Sequence, residues 1–169
     1  MGLLSETFNT LDDLMLHELK DVYDAETRLV SALDNMAEAA SNPVLKQSFQ
    51  EHQRQTEGHI SRLEQVFRMV DQEPERETCH AIKGLIAEGD DMISADGDAK
   101  VRDAALIAAA QRVEHYEIAA YGTMRTLAQQ LGRRDIADVL QQTLDEERTT
   151  DEKLTSLAEG EINPQANVA

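Results

Sequence analysis

Apolar residues recur every three or four positions through four long stretches of this chain, and the strong helix breakers fall between the stretches. A period of ~3.6 residues sustained over about 30 positions admits a long amphipathic helix and little else. The first stretch, from about Leu11 to Ala40, sets Leu11, Leu14, Met15, Leu19, Val22, Leu29, Leu33 and Met36 on one side. Thr10 stands before it as an N-cap, with Asp13 three residues on, an Asp variant of the capping box. Ser41-Asn42-Pro43 ends that helix and starts the next: Asn42 caps it, and Pro43 takes the first helical position, where a missing N–H costs nothing. The second stretch runs to about Val70 on Leu45, Phe49, Ile60, Leu63, Val66 and Phe67. So short a connection makes the two helices antiparallel neighbours.

From Asp71 to Lys100 the pattern changes. Asp71-Gln72-Glu73-Pro74-Glu75 is a polar linker, and Ala81, Ile82, Leu85, Ile86 and Ile93 then have the spacing of a short amphipathic helix. A connection this long crosses from one end of a bundle to the other. A third long helix, about Ala99 to Leu131, stops at Gly132, and a fourth starts near Arg134 with Ile136, Val139, Leu140, Leu144, Leu154 and Leu157 on its stripe. The expected fold is all-α: two antiparallel hairpins joined by a long crossover containing a short fifth helix, the connectivity of a ferritin-like four-helix bundle. Residues 1–160 are expected to form this single domain. From Gly160, with Asn163-Pro164, the chain reads as fraying, and residues 161–169 as a flexible tail.

Composition agrees with helix and narrows the partners. Aromatic residues are 4% and Trp is absent, which disfavours sheet. A net charge of −17 argues against nucleic acid and anionic membrane and in favour of cations, metal ions included. Cys79 is the single cysteine, so there is no disulfide framework, and the expected compartment is the reducing cytoplasm. The opening Met1-Gly2-Leu3-Leu4-Ser5-Glu6 has no basic region or long apolar run, and no stretch approaches the ~20 apolar residues of a membrane span.

Each long helix nevertheless carries a metal-capable side chain within its apolar stripe. At ~100° per residue, Glu26 falls within roughly 20° of the first stripe's centre. On the second helix His52 and Thr56 bracket the centre within about 40°, whereas His59 lies roughly 55° away and Glu57 about 105° away. Glu117 is central on the third helix, with Glu114 one turn earlier at the flank; Glu147 is central on the fourth, with Asp151 one turn further along. Depth agrees with angle. At ~1.5 Å rise per residue, Glu26 and Thr56 share a level about 15 residues either side of the first turn, and Glu117 and Glu147 do so about the second. Any one of these residues has an ordinary reading: a stripe-edge Glu, a hydrogen-bonded semi-core His52, a Thr56 bonded to its own backbone. Their convergence points to a shared metal site with Glu26, His52, Glu114, Glu117, Glu147 and Asp151 as candidate ligands. Carboxylates with imidazole suit iron, manganese or zinc, as one ion or two. With two, Glu26 and Glu117 would bridge, and His52 and Glu147 or Asp151 would be terminal.

Several runs also resemble a known family: Asp21-Val22-Tyr23-Asp24-Ala25-Glu26, Cys79-His80-Ala81-Ile82-Lys83-Gly84-Leu85, Arg102-Asp103-Ala104-Ala105-Leu106-Ile107-Ala108-Ala109-Ala110-Gln111, Val113-Glu114-His115-Tyr116-Glu117 and Leu144-Asp145-Glu146-Glu147. Over about residues 6 to 160 the chain resembles the YciF/YciE-like bacterial stress proteins, a ferritin-like family. The resemblance implies a ferritin-like bundle, a homodimer and a di-metal centre in a cytoplasmic protein of the general stress response. The wider ferritin-like pattern puts Glu-x-x-His on the second and fourth helices. Here the second helix offers His52 and Thr56, and the fourth offers Glu147 and Asp151 without a histidine. That departure counts against oxygen-activating chemistry and leaves room for a structural metal. The functional expectation is a metal-binding stress protein that oxidises Fe(II) or consumes peroxide. The alternative is a non-catalytic helical protein acting through a partner, with Ile82, Leu85, Ile86 and Ile93 of the crossover as its interaction face.

Overall fold

A computed structural model describes residues 7–167 of the chain. The opening Met1–Glu6, read above as free of a targeting signal, and the last two tail positions lie outside the described residues. In chain order the helices are α1 (Leu11–Ala39), α2 (Pro43–Met69), α3 (His80–Ser94), α4 (Ala99–Gln130) and α5 (Arg134–Leu157). A π-helical turn (Ala158–Ile162) and α6 (Asn163–Ala166) follow. The architecture is the expected one: α1 packs along α2 and α4 along α5, and the crossover α3 lies against α1 and α4.

Local chemistry sets the boundaries. Asp13 N–H donates to Thr10 Oγ1 at 3.1 Å, and Thr10 N–H donates to Asp13 Oδ2 at 2.9 Å, completing the capping box. Asn42 Oδ1 accepts from Val44 N–H and Leu45 N–H, and Asp98 Oδ1 accepts from Lys100 N–H. Gly132, at φ 75°, takes the left-handed conformation that closes α4. The α1–α2 turn is also held from outside the hairpin. Buried Asp103 of α4 accepts from Ser41 N–H at 2.8 Å, Ser41 Oγ at 2.6 Å and Asn42 N–H at 2.8 Å. The crossover is pinned similarly: buried Asp24 accepts from Cys79 N–H at 3.0 Å, Arg28 Nε at 2.6 Å and Arg76 Nη2 at 2.7 Å.

One expectation needs correction. The chain does not fray at Gly160. Ile162 is 2% exposed within the core and Asn42 donates to Glu161 Oε1 at 2.8 Å, so the residues from Ala158 to Ala166 stay helical. The apolar side of α3 turns toward the core: Ile82 is fully buried, and Leu85, Ile86 and Ile93, partly buried, pack against it. Among the described residues no helix is long and apolar enough to cross a membrane.

The core is two bodies rather than one. Leu29, Leu33, Leu45, Phe49, Leu106, Leu154 and Ile162 fill the end nearest the α1–α2 turn. Leu19, Leu63, Phe67, Tyr121, Met124, Ile136 and Leu140 fill the other. Between them lies a layer of buried polar side chains.

Candidate metal centre

Helical spacing builds this layer. On α2, His52, Thr56 and His59 stand at i, i+4 and i+7; on α4, Glu114, Glu117 and Tyr121 stand at i, i+3 and i+7, so each set shares a face. Glu26 of α1 and Glu147 of α5 complete the ring. Glu26, His59, Glu117 and Glu147 are 0% exposed, and His52 and Glu114 are nearly so.

Two groups of donor atoms form. His52, Glu114, Glu117 and Glu147 each place one within 4.8 Å of all the others, and so do Glu26, His59 and Glu147. Glu147 belongs to both, and its two oxygens divide the work. Oε2 lies 3.8 Å from His52 Nε2, while Oε1 lies 2.9 Å from His59 Nδ1. His52 Nε2 is 3.1 Å from Glu114 Oε1, and His59 Nδ1 is 3.3 Å from Glu26 Oε1.

These atoms are close but not aligned as hydrogen bonds. Both His52 nitrogens, His59 Nδ1, Glu26 Oε2, Glu114 Oε2 and both oxygens of Glu117 and of Glu147 have no hydrogen-bond partner. A buried carboxylate in that condition costs several kcal/mol unless a cation or a proton joins it. Metal–ligand bonds of ~2.0–2.2 Å set neighbouring donors about 3 Å apart, and the His–carboxylate separations here run from 2.9 to 3.8 Å. The four buried carboxylates Glu26, Glu114, Glu117 and Glu147 also match the charge of two divalent cations. No thiolate enters either group, so the donor set suits iron, manganese or zinc. The residues therefore fit a divalent metal pair.

Titration behaviour follows from the same crowding. Burial first, then the Glu147, Glu26 and Glu114 charges, hold Glu117 well above the usual carboxylate range. Glu114 is pushed up to about 8, by burial and then by Glu26 and Asp151, against the opposing pull of Glu147 and His59. Glu26 and Glu147 are raised, chiefly by burial. Burial opposes a charge on His59, but the Glu147 and Glu26 carboxylates outweigh it and push the imidazole up to about 11. Without metal, the layer holds protons.

A second ring of contacts orients the first. His59 Nε2 lies 2.9 Å from Glu146 Oε2, and Arg62 grips that carboxylate through Nη1 and Nη2 at 2.7 Å each. Arg62 Nη1 also donates to Thr143 Oγ1 at 3.1 Å. With Nε2–H donating outward, the His59 Nδ1 lone pair is the one left for the site. The Tyr121 hydroxyl donates to Glu26 Oε1.

Five of the six ligands expected from sequence come together: Glu26, His52, Glu114, Glu117 and Glu147. Asp151 does not. One turn beyond Glu147, it accepts from Gln111 Nε2 at 3.0 Å and lies 3.4 Å from His115 Nε2, at the edge of the bundle. The carboxylate shared by both groups is Glu147, not the expected pair Glu26 and Glu117. A second histidine is present as well: His59, set aside for its angle, is fully buried between Glu26 and Glu147. The signal available in the sequence was Thr56-x-x-His59, a Glu-x-x-His with its Glu replaced. Thr56 Oγ1 is buried without a partner and makes no bond to its own backbone.

Residues 10–167 match the protein family described as "Domain of unknown function (DUF892)". The chain is 48% identical over 158 residues to Protein YciF of Escherichia coli K12, covering 93% of this chain and 95% of that one. The crystal structure of that E. coli stress protein superposes with a TM-score of 0.89, covering 92% of this chain and 99% of that one. YcfI from Rhodopseudomonas palustris, 43% identical, superposes at 0.88 over 91% of this chain and 98% of its own. A ferritin-like, diiron-carboxylate protein of Bacillus anthracis, 16% identical, shares the fold at 0.68 over 90% of this chain and 99% of its own.

Proposed function

The chain belongs to the DUF892 family, and from that membership and the polar layer we propose a metal-binding ferritin-like protein of the bacterial stress response that carries a pair of divalent ions, iron before manganese or zinc. It works in the cytoplasm as a homodimer, and its reaction is the oxidation of Fe(II) by dioxygen or peroxide. The single observation that carries the reading is Glu147, whose two oxygens face two separate donor groups. His52, Glu114 and Glu117 would hold one ion with Glu147, and Glu26 and His59 the other. Bound iron supplies the redox chemistry. The chain's own residues do the rest. Burial keeps bulk water from the carboxylates, Glu146 fixes the His59 ring, and the Tyr121 hydroxyl steadies Glu26. A second buried imidazole, His59, supports the reading, although the fourth helix offers no histidine. The alternative, a non-catalytic helical protein acting through a partner, would use the partly buried Leu85, Ile86 and Ile93 of α3.

Elemental analysis of protein purified without chelator, followed by anaerobic Fe(II) titration of the stripped protein, tests this. The expected result is two ions per chain, falling to one or none in Glu147→Ala, with oxidised iron appearing when dioxygen or peroxide is admitted. Uptake well below one ion per chain, unchanged by Glu147→Ala, would defeat it.

A further inference from the structure

A small cavity lies under the crossover helix, between α3, α1 and α4, and Glu114 is among the residues that line it. Its volume is about 20 Å³, room for a single water-sized or diatomic molecule. Leu29 and Leu33 of α1, Leu85 and Ile86 of α3, and Ala110 and Val113 of α4 make its wall mainly apolar, and Asp90 and Glu114 are the two charged side chains on it. Gly89 of α3 lines it too. It is buried, yet a Cβ built on it would meet no atom within 4 Å, so a side chain there has free space to fill. The cavity therefore runs from beneath α3 to a carboxylate that belongs to the His52 donor group.

Which molecule suits it follows from hydrogen bonding. Water needs two to four polar partners to occupy a cavity of this size, and an apolar wall supplies few. Hydrogen peroxide has the same requirement and would forfeit the bonds it makes in bulk water. Dioxygen is apolar, diatomic and gives up nothing. Resting on the reading of the polar layer as a di-metal centre, we infer that this cavity is the dioxygen site of the protein, the route by which that oxidant reaches the metal pair from beneath α3. The chain thereby separates its oxidants: dioxygen arrives through the cavity and peroxide does not. In the reaction served, two Fe(II) ions give one electron each to dioxygen, which takes up two protons and leaves as hydrogen peroxide. In the peroxide reaction, two Fe(II) reduce one peroxide to two waters, again with two protons.

Xenon, which occupies dry apolar cavities, is the probe. Crystals of the zinc-loaded protein under xenon pressure should show an atom among Leu33, Ile86 and Ala110, lost in Gly89→Leu and Ala110→Leu. In stopped-flow measurements the same variants should load metal normally, oxidise Fe(II) with dioxygen at least several-fold more slowly, and retain their rate with peroxide. Gly89→Ala, a milder filling that suits a helix, serves if the leucine variants do not fold. Absence of xenon from the cavity overturns the inference. So do an unchanged dioxygen rate in filled variants and equal slowing with both oxidants. Failure of the di-metal reading registers separately, as metal uptake below one ion per chain in the unmodified protein.

Discussion

Glu146→Ala should loosen one ion position and spare the other. Glu146 belongs to neither donor group; its role is to accept the His59 Nε2 proton at 2.9 Å while Arg62 holds it in place. Removing it leaves a donor on a fully buried ring without an acceptor, at a cost of about 1–3 kcal/mol. Arg62, about a quarter exposed, turns to solvent and adds little. The ring is then free to rotate or to protonate differently, and loss of such an outer partner typically weakens metal binding about 10–100-fold. That is roughly 1.4–2.8 kcal/mol, in agreement with the cost of the orphaned donor. Competition of stripped protein against a chromophoric chelator for Zn(II) or Co(II), fitted to two sites, reads the effect. One affinity should fall and the other hold, with Glu146→Gln intermediate because its amide oxygen can still accept. Asp145→Ala removes the same charge from an exposed neighbour and controls for long-range electrostatics. Equal weakening in Asp145→Ala, or none in Glu146→Ala, would refute the reasoning.

Other perturbations test other parts of the frame. Metal affinity should rise with pH, because Glu114, held up to about 8, must lose its proton to ligate; calorimetry in two buffers of different ionisation enthalpy counts the protons released. Stripped protein should melt lower as pH climbs, since the folded state binds protons more tightly at Glu114 (4.5 to about 8) and at His59 (6.5 to about 11), so stability present at low pH is lost through those windows. The gap between loaded and stripped melting temperatures then widens with pH, and a constant gap would contradict this. Asp24→Ala leaves Arg28, Arg76 and the Cys79 N–H without their acceptor, and should cost about 2–3 kcal/mol after discounting the partly exposed arginines. Limited proteolysis should then cut faster between Met69 and His80. Asp103→Ala strips two backbone donors and a hydroxyl at the α1–α2 turn, for about 2–4 kcal/mol by thermal denaturation, with Asp103→Asn recovering part.

The fold was legible because its determinants are local and repetitive. Stripe, cap and breaker each occur within a turn or two of where they act, as Thr10, Asn42 and Gly132 illustrate. The site was legible where a residue lies near the centre of its stripe, as Glu26, Glu117 and Glu147 do. His59, mid-helix and roughly 55° from the stripe centre, still faces inward because α2 packs against both α1 and α5; its ring meets Glu26 of α1 and Glu146 and Glu147 of α5. Asp151 erred along the other coordinate: it has the right side but lies one turn, about 5.4 Å, too far along α5. Asp103 and Glu146 carry no sequence signal of their role, since each acts on a helix distant in the chain. The tail was misread because Gly160 and Pro164 are breakers only where nothing packs, and Ile162 packs.

The altered motifs gain a physical sense from the two donor groups. A ferritin-like site draws a Glu and a His from each of two helices. Here Thr56 stands three residues before His59, in the place of a Glu, and Thr150 stands three after Glu147, in the place of a His. The missing oxygen and nitrogen are not lost from the layer. Glu114 supplies an oxygen one turn before Glu117, and His52 a nitrogen one turn before Thr56. Both displacements run toward the α1–α2 turn, since α4 begins beside that turn through Asp103 and α2 begins at it. Two substitutions that look like degeneration when each helix is read alone thus move one donor group by a single turn, with the count of candidate donor residues intact. The displacement also sets that group against the cavity beneath α3, because Glu114, the residue that moved, is the carboxylate lining it.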